Sequence, residues 1–283
     1  MSAAGTVSRS RFRRPRNLKL LVGGWGTLLV CLVAFVGPLL LSTSPNEITA
    51  AGAFVPPSAE HWLGTDELGR DFFTRIVHGA MISLLVGFAA ILIAVTAGLT
   101  IGLIAGYYRG VVDAVFMRLM DSLLAFPSLL LALAVTAALG PGLANVAIAI
   151  GIVNIPAFAR LARSQALAIG PLDYLNAARM CGRSNLGILW SHVLPNSLTP
   201  IVVYSATAIA QAILTQASLS FLGLGAAPPT PDWGAMLQSG YNFMTVALWL
   251  SVFPGLSIAL VSILFIFLGD GLRDMQDPRT RHA

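Results

Sequence analysis

Long apolar runs separated by short polar stretches dominate the pattern of the chain. A run of about 20 apolar residues is long enough for a helix to cross the hydrocarbon core of a bilayer. A helix is favoured there because it satisfies its own backbone hydrogen bonds. We therefore predict an all-α integral membrane protein with six transmembrane helices, near residues 18–41, 81–106, 115–139, 143–166, 198–222 and 248–269.

One block, residues 171–195, interrupts the apolar pattern and is called the polar segment below. Pro171 suits the first turn of a helix, Gly182 the position after a helix C-terminus, and Ser184 the N-cap of a second helix. Pro195 is expected to end that second helix. The apolar positions at helical spacing are Leu172, Leu175, Ala178, Cys181, Leu186, Leu189, Trp190 and Val193. Two amphipathic helices predict either a cytoplasmic knob that docks a partner or a loop lying on the membrane.

Composition supports a membrane protein. Of the 283 residues, 56% are hydrophobic and only 10% are charged, whereas a soluble domain has about 25% charged residues. A net charge of +5 favours basic loops at the cytoplasmic face over binding of nucleic acid. Cys31 and Cys181 fall in different regions of the chain and are predicted to be free thiols.

The distribution of basic residues predicts the orientation. The first apolar run is too long for the core of a signal peptide, about 7–15 residues, and is predicted to be an uncleaved span. With both termini inside, fifteen Lys and Arg residues lie on the cytoplasmic side and two, Arg70 and Arg75, lie outside. Such an excess identifies the cytoplasmic side. The inner residues are Arg9, Arg11, Arg13, Arg14, Arg16, Lys19, Arg109, Arg118, Arg160, Arg163, Arg179, Arg183, Arg273, Arg279 and Arg281.

Several positions within the spans are structural or gating candidates. Small residues at every fourth position of the second span, Ala94, Gly98, Gly102 and Gly106, predict a helix-packing seam, either within this chain or with a partner subunit. Arg118 and Asp121 are three residues apart and are expected to pair on one helix face. Pro127 and the Pro254–Gly255 pair are expected to kink or break their helices. The outer loop after the fifth span, with Trp233 and Tyr241, is expected to lie in the membrane interface.

Residues needed for other functions are missing from the predicted spans. The four histidines, His61, His78, His192 and His282, all fall outside them, which argues against an intramembrane serine protease. "GLSIA" around Ser257 is interpreted as helix packing because no base is nearby. The only lysine, Lys19, is not in a phosphate-binding loop, so we expect ATP to be hydrolysed elsewhere. We predict no metal site and no catalytic residue.

The sequence "NAARMCGRSNLGILWSHVLP" resembles the signature loop of binding-protein-dependent ABC importer permeases. Ala177, Ala178, Gly182, Leu194 and Pro195 match that loop at its spacing. Two positions depart from it, with Asn176 in place of the usual Glu and His192 in place of a hydrophobic residue. The resemblance implies that the loop is a coupling helix that docks on a cytoplasmic ATPase. The implied coupling residues are Leu175, Asn176, Ala177, Ala178, Arg179, Gly182, Arg183, Leu194 and Pro195.

Further stretches are similar to permeases of peptide and nickel importers, in particular the second permease subunit of dipeptide and oligopeptide systems. They are residues 61–84, 118–133, 221–237 and 268–279. Two departures are Met81, often Arg in relatives, and Ile266, often Asn. The resemblance implies a type-1 transmembrane domain over residues 80–271, preceded by a basic N-terminus, first helix and outer segment (1–79) and followed by a cytoplasmic tail (272–283).

The resemblance also implies partners: a related permease forming a heterodimer, one or two P-loop ATPases that hold ATP and magnesium, and an extracytoplasmic solute-binding protein. This chain would bind no cofactor, act as a non-catalytic subunit and lie in the bacterial cytoplasmic membrane. Short peptides are the expected substrate, with nickel chelates, haem or glutathione as alternatives. An ATP-independent channel or ion-driven carrier is the alternative of another class, and a membrane enzyme comes last.

Overall fold

The computed structural model describes residues 18–276. The basic residues predicted inside at positions 9–16, and Arg279 and Arg281, lie outside that range. The described residues form helices and no β-strand: α1 (Leu18–Leu40), α2 (Phe72–Tyr108), α3 (Gly110–Leu124), α4 (Ser128–Leu139), α5 (Leu143–Ile169), α6 (Asp173–Met180), α7 (Asn185–Ile188), a π-helical segment (Leu189–Val193), α8 (Leu194–Phe221), α9 (Trp233–Asn242) and α10 (Trp249–Gln276). The prediction of an all-α fold is confirmed.

Five stretches are long and apolar enough to cross a membrane, and the pair α3 and α4 supplies the sixth pass. This pair is bent by 92° at a break around Pro127, where the preceding helix cannot continue into the proline. The pair nevertheless connects opposite ends of the bundle. It begins beside the end of α2 and leads to Gly142, whose N–H donates to Leu224 O at the end of α8 (3.1 Å). The predicted third span, 115–139, is therefore two helices.

Two helices, α2 and α10, extend well beyond the predicted spans, and polar residues at the start of α2 have partners. α2 begins at Phe72, nine residues earlier than predicted, after Asp71 caps it by accepting from Thr74 N (2.8 Å). Its 37 residues span about 55 Å, well beyond a hydrocarbon core of about 30 Å. The predicted domain division between residues 79 and 80 falls inside this helix. α10 is likewise longer and runs without a break through Pro254 and Gly255.

The small-residue stripe of α2 lies against α5. Gly98, Gly102 and Gly106 are buried, and a Cβ on Gly102 would lie 2.1 Å from the carbonyl oxygen of Ala159. Ala94, also on this stripe, is fully buried. In lipid, helix association depends on close packing, and glycine allows the two backbones to approach. The seam therefore lies within this chain's own bundle.

The end of the bundle that carries residues 41–71 is called the outer end, and the opposite end the inner end. At the outer end, Arg70 and Arg75 are buried beside Asp66, with nitrogen–oxygen distances of 2.6 and 3.4 Å. Arg75 Nη1 also donates to Pro45 O at 2.9 Å. Trp233 was expected in the membrane interface, but it is 2% exposed and its Nε1 donates to Ile76 O. Trp233 therefore packs into the bundle with α9 and does not present its ring outward, whereas Tyr241 is exposed.

Both ends of the described chain lie at the inner end. Lys19, at the start of α1, lies 3.8 Å from Asp274, near the end of α10. A Cβ on Gly271 would lie 2.6 Å from Leu20, so the two helices are in close contact there. Because both ends lie on the same side, the described chain crosses the membrane an even number of times.

Replacing Gly102 with Ala should lower the midpoint of thermal unfolding in detergent, since the added methyl group must displace backbone at the seam. Overpacking of this kind costs about 1–3 kcal/mol. Gly24→Ala is the matched control, because a Cβ there meets nothing within 4 Å. Equal midpoints for the two variants would contradict the seam.

Candidate functional site

The polar segment folds as two short helices separated by a glycine turn. Gly182 has φ +78°, and Arg183 N donates across the turn to Ala178 O (3.1 Å), an arrangement typical of a helix C-terminus. Ser184 caps α7 by accepting from Gly187 N at 3.2 Å. The predicted turn and cap are both present. Pro171 lies before the first helix instead of opening it, because Leu172 is extended and α6 begins at Asp173.

The second helix does not end at Pro195. A π-helical segment, Leu189–Val193, joins α7 to α8, so residues 185–221 form one continuous helical stretch. Pro195 lies in the first turn of α8. The wider π turn alters the hydrogen-bond pattern just before the proline ring, which an uninterrupted α-helix would not accommodate. The polar segment is therefore continuous with a membrane-spanning helix.

One face of the polar segment is built into the core of the bundle. Leu175, Ile188 and Val193 are fully buried and Leu189 is 6% exposed. They share a hydrophobic cluster with residues of α2, α5 and α8. Ala178 packs against the same cluster. Since interiors are close-packed and deform little, a displacement of this segment must move the spans that contact it.

The opposite face exposes apolar residues to the surroundings. Met180 is 89% exposed, Trp190 66% and Leu186 59%. The prediction that Leu186, Leu189, Trp190 and Val193 line one side of the second helix is wrong, since Leu189 and Val193 are buried whereas Leu186 and Trp190 are exposed. Large apolar side chains exposed outside the membrane-spanning helices are candidates for contact with a partner. Of the other coupling candidates, Asn176, Ala177, Arg179, Gly182, Arg183 and Pro195 are exposed, and Leu194 is half-buried.

Two polar contacts tie the polar segment to the inner end of α2, and a hydrogen bond within the segment supports one of them. Arg179 Nη1 donates to Asn176 Oδ1 at 2.8 Å. The Arg179 guanidinium carbon lies 5.7 Å from the centre of the Tyr107 ring, within the range of a cation–π contact. The Tyr107 hydroxyl donates to Asn185 Oδ1 at 2.9 Å. Tyr107 could not be singled out from the sequence, since it lies at the end of an apolar span like many other aromatic residues.

Two ion pairs join α3 to α5 near the inner end. Arg163 Nε and Nη2 bind the two oxygens of Asp113 at 2.5 and 2.6 Å. Arg160 Nη2 binds Asp121 Oδ1 at 2.6 Å. The predicted Arg118–Asp121 pair is wrong, because Asp121 is directed across to α5 and not along its own helix. The sequence analysis had used Arg160 and Arg163 as basic residues that indicate the cytoplasmic side and had predicted no ion-pair partner for them.

A cavity of about 420 Å³ lies at the outer end, between the loop before α2 and the helices α8 and α9. Its charged lining residues are Asp66, Glu67, Arg70 and Arg75. Arg70 contacts both carboxylates, at 2.6 and 3.2 Å, and Arg75 contacts Asp66. The charges of the cavity therefore neutralise one another.

The residues considered for enzyme chemistry have structural partners. His78 lies inside α2, contrary to expectation, and its Nδ1 donates to Thr74 O at 2.8 Å. Ser257 Oγ donates to Phe253 O within its own helix (2.8 Å). Cys31 and Cys181 are free, as predicted. Within residues 18–276, no group of three His, Cys, Asp or Glu side chains is placed to hold a metal ion.

Comparison with known proteins gives consistent matches. Residues 98–282 match the family described as binding-protein-dependent transport system inner membrane component. The chain is 47% identical to a dipeptide transport system permease protein of Alkalihalophilus pseudofirmus, covering 96% of this chain and 90% of that protein. It is 49% identical to a glutathione transport system permease protein of Pectobacterium atrosepticum, over 80% and 75% of the two chains.

A solved structure shares the fold. It is an inward-facing conformation of the MetNI methionine ABC transporter, matched with a TM-score of 0.56 and 18% identity over 72% of this chain and 97% of that one. This likeness confirms the predicted fold class of an ABC importer transmembrane domain.

Asp113→Asn should lower the midpoint of thermal unfolding in detergent more than Asp121→Asn. The first change removes a bidentate pair in which the Asp113 side chain is 18% exposed, whereas both partners of the second pair are 54% exposed. Exposed pairs contribute little to stability, and bidentate pairs contribute more. A larger loss for Asp121→Asn would contradict this ranking.

Proposed function

Because the chain belongs to the family of binding-protein-dependent transport system inner membrane components, we propose that it is the permease subunit through which an ATP-driven ABC importer takes short peptides across the bacterial cytoplasmic membrane. The observation that carries the proposal is the polar segment, with one face in the transmembrane core and the other exposing Met180, Leu186 and Trp190. ATP hydrolysis belongs to partner subunits, and this chain is non-catalytic.

The exposed face of the polar segment is the docking surface for an ATPase. Its apolar side chains supply area to bury, and Arg179 and Arg183 flank them with positive charge. Interfaces commonly combine an apolar centre with a polar rim. Closing of the ATPases would push this surface, and the buried Leu175, Ile188 and Val193 would pass the displacement to the spans.

The orientation follows from the same arrangement. The docking surface and both ends of the described chain share the inner end, which we place in the cytoplasm. Basic residues concentrate on that side, as cytoplasmic loops do. The outer end, with the segment 41–71 and α9, then faces a solute-binding protein. A second, related permease completes a heterodimer around the pathway.

The similarity to two peptide permeases favours short peptides as the substrate. The dipeptide permease of Alkalihalophilus pseudofirmus is similar over nearly the whole chain, and a di/tripeptide permease of Pseudomonas aeruginosa is 42% identical over 90% of it. The glutathione permease of Pectobacterium atrosepticum favours a second candidate. Both candidates are small molecules with amide bonds and charged ends.

Uptake of labelled tripeptide, glutathione and nickel should be compared in cells with and without the gene, before and after depletion of ATP. We expect the deletion to abolish ATP-dependent uptake of tripeptide and to leave nickel uptake unchanged. Loss of glutathione uptake alone would indicate that glutathione, the second candidate, is the substrate. Uptake that depends on the gene but survives ATP depletion would contradict an ABC importer.

Gly182→Trp should abolish most uptake while ATP hydrolysis by the assembled complex continues. The left-handed backbone at φ +78° costs about 1–2 kcal/mol for an ordinary residue, and the indole would stand on the docking surface. Gly182→Asn is the control, because Asn tolerates this conformation. Since no atom lies within 4 Å of the position of the added Cβ, both variants should keep the bundle folded. Normal uptake by Gly182→Trp would refute the coupling role of the turn.

A further inference from the structure

The polar segment is covalently connected to α5 and α8, which precede and follow it. α2 lies outside that connection, so a displacement of the segment reaches it only through non-covalent contacts: the shared apolar cluster, the seam with α5 and the polar contacts at its inner end. At the inner end of α2, Tyr107 makes polar contacts to both halves of the polar segment. We propose that Tyr107 is a positioning residue that ties α2 to the movement of the polar segment, an inference that rests on the proposed function.

The geometry of the two contacts makes Tyr107 sensitive to the shape of the whole segment. Its hydroxyl binds Asn185, the first residue of α7, at 2.9 Å. Its ring faces the guanidinium of Arg179, in the last turn of α6, at 5.7 Å. The Gly182 turn lies between these two helices. Tyr107 therefore bridges the turn, and closing or opening the turn alters at least one of its contacts.

The contacts are directional, which distinguishes them from the apolar packing nearby. A hydrogen bond weakens steeply when its angle departs from linearity, and a cation–π contact requires the charge to lie over the ring face. Tyr107 itself is half-buried and packs against the main hydrophobic cluster. Its ring is held by the bundle while its polar contacts reach out to the polar segment.

Movement that reaches Tyr107 is passed to α2 and α5 together. The seam at Gly98, Gly102 and Gly106 brings the two backbones into close contact, so sliding of one helix along the other is resisted along its length. α5 is also pulled directly, since it leads into the polar segment. With Tyr107 in place, both helices of the seam receive the same displacement at their inner ends.

Tyr108 provides a matched control. It is the next residue, its ring contacts that of Tyr107 at 5.3 Å, and it is 46% exposed. Within residues 18–276, its hydroxyl has no hydrogen-bond partner. Tyr108→Phe and Tyr108→Leu therefore make the same chemical changes at the same helix end without removing a contact to the polar segment.

The test uses the complete importer, with its partner permease, ATPases and binding protein, in proteoliposomes. The measured quantity is the amount of labelled alanyl-alanine imported per ATP hydrolysed. Tyr107→Phe keeps the ring and removes the hydrogen bond, so we expect a fall of roughly two- to tenfold. Tyr107→Leu removes both contacts and should lower the ratio by about tenfold or more. The ATP hydrolysis rate should change little.

A second measurement needs no transported substrate. Spin labels on Leu92→Cys and Val202→Cys, exposed positions of α2 and α8, report the distance between these helices after both native cysteines are replaced by Ser. ATP with vanadate should shift this distance in the wild type and in Tyr108→Leu, and shift it less in Tyr107→Leu.

The outcomes separate the two proposals. A wild-type complex that hydrolyses ATP but does not import alanyl-alanine contradicts the proposed function, and the label distances then test Tyr107 alone. Tyr107→Leu with the wild-type ratio and the wild-type shift overturns the inference. Equal losses in the Tyr107 and Tyr108 variants overturn it as well, because they would indicate general damage to the end of α2.

Discussion

The close approach of α2 and α5 is the constraint on which the rest of the bundle depends. Lipid supplies little drive for apolar helices to associate, so contact must come from packing. Glycines at 98, 102 and 106 remove the side chains that would keep the two backbones apart. Two elements at the inner end are then positioned relative to this pair of helices. Arg160 and Arg163 tie α3 to α5. The polar segment follows directly after the end of α5.

This arrangement explains how a docking surface outside the membrane can act on helices within it. The polar segment has no independent core, because its buried residues belong to the cluster formed by α2, α5 and α8. Its second helix continues through a π-helical segment into α8. A surface that shares both backbone and core with the spans cannot move alone.

Local features of this architecture could be read from the sequence, while contacts between distant residues could not. Apolar runs located the helices, and Pro127, Gly182 and Ser184 marked a break, a turn and a cap, since each acts through its own backbone or immediate neighbours. Asp121 was assigned to Arg118 on its own helix, but its partner Arg160 is 39 residues away. Tyr107 and Asn185 are 78 residues apart, and no periodicity connects them.

The ends of the helices could not be predicted accurately for a related reason. Polar residues normally indicate the end of a span, and Arg75 and His78 lie before the predicted start at residue 81 but within the first turns of α2. In the folded chain, Arg75 is satisfied by Asp66 and by Pro45 O, and His78 by Thr74 O. Burial of a charged group is possible when it is paired and hydrogen-bonded, and the partners of Arg75 come from the outer loop. The extent of the helix therefore depends on a loop that precedes it.

The structure shows what Asn176 contacts, at the position where the signature loop that this segment resembles usually has Glu. A Glu at that position would pair with Arg179 three residues later and neutralise it. Asn176 still accepts a hydrogen bond from Arg179 at 2.8 Å but leaves the positive charge uncompensated. The Arg179 guanidinium lies 5.7 Å from the centre of the Tyr107 ring, within the range of a cation–π contact. With a neutral amide at position 176, the polar segment carries one negative charge fewer than it would with a Glu, so its exposed face stays basic while Arg179 contacts both Asn176 and Tyr107.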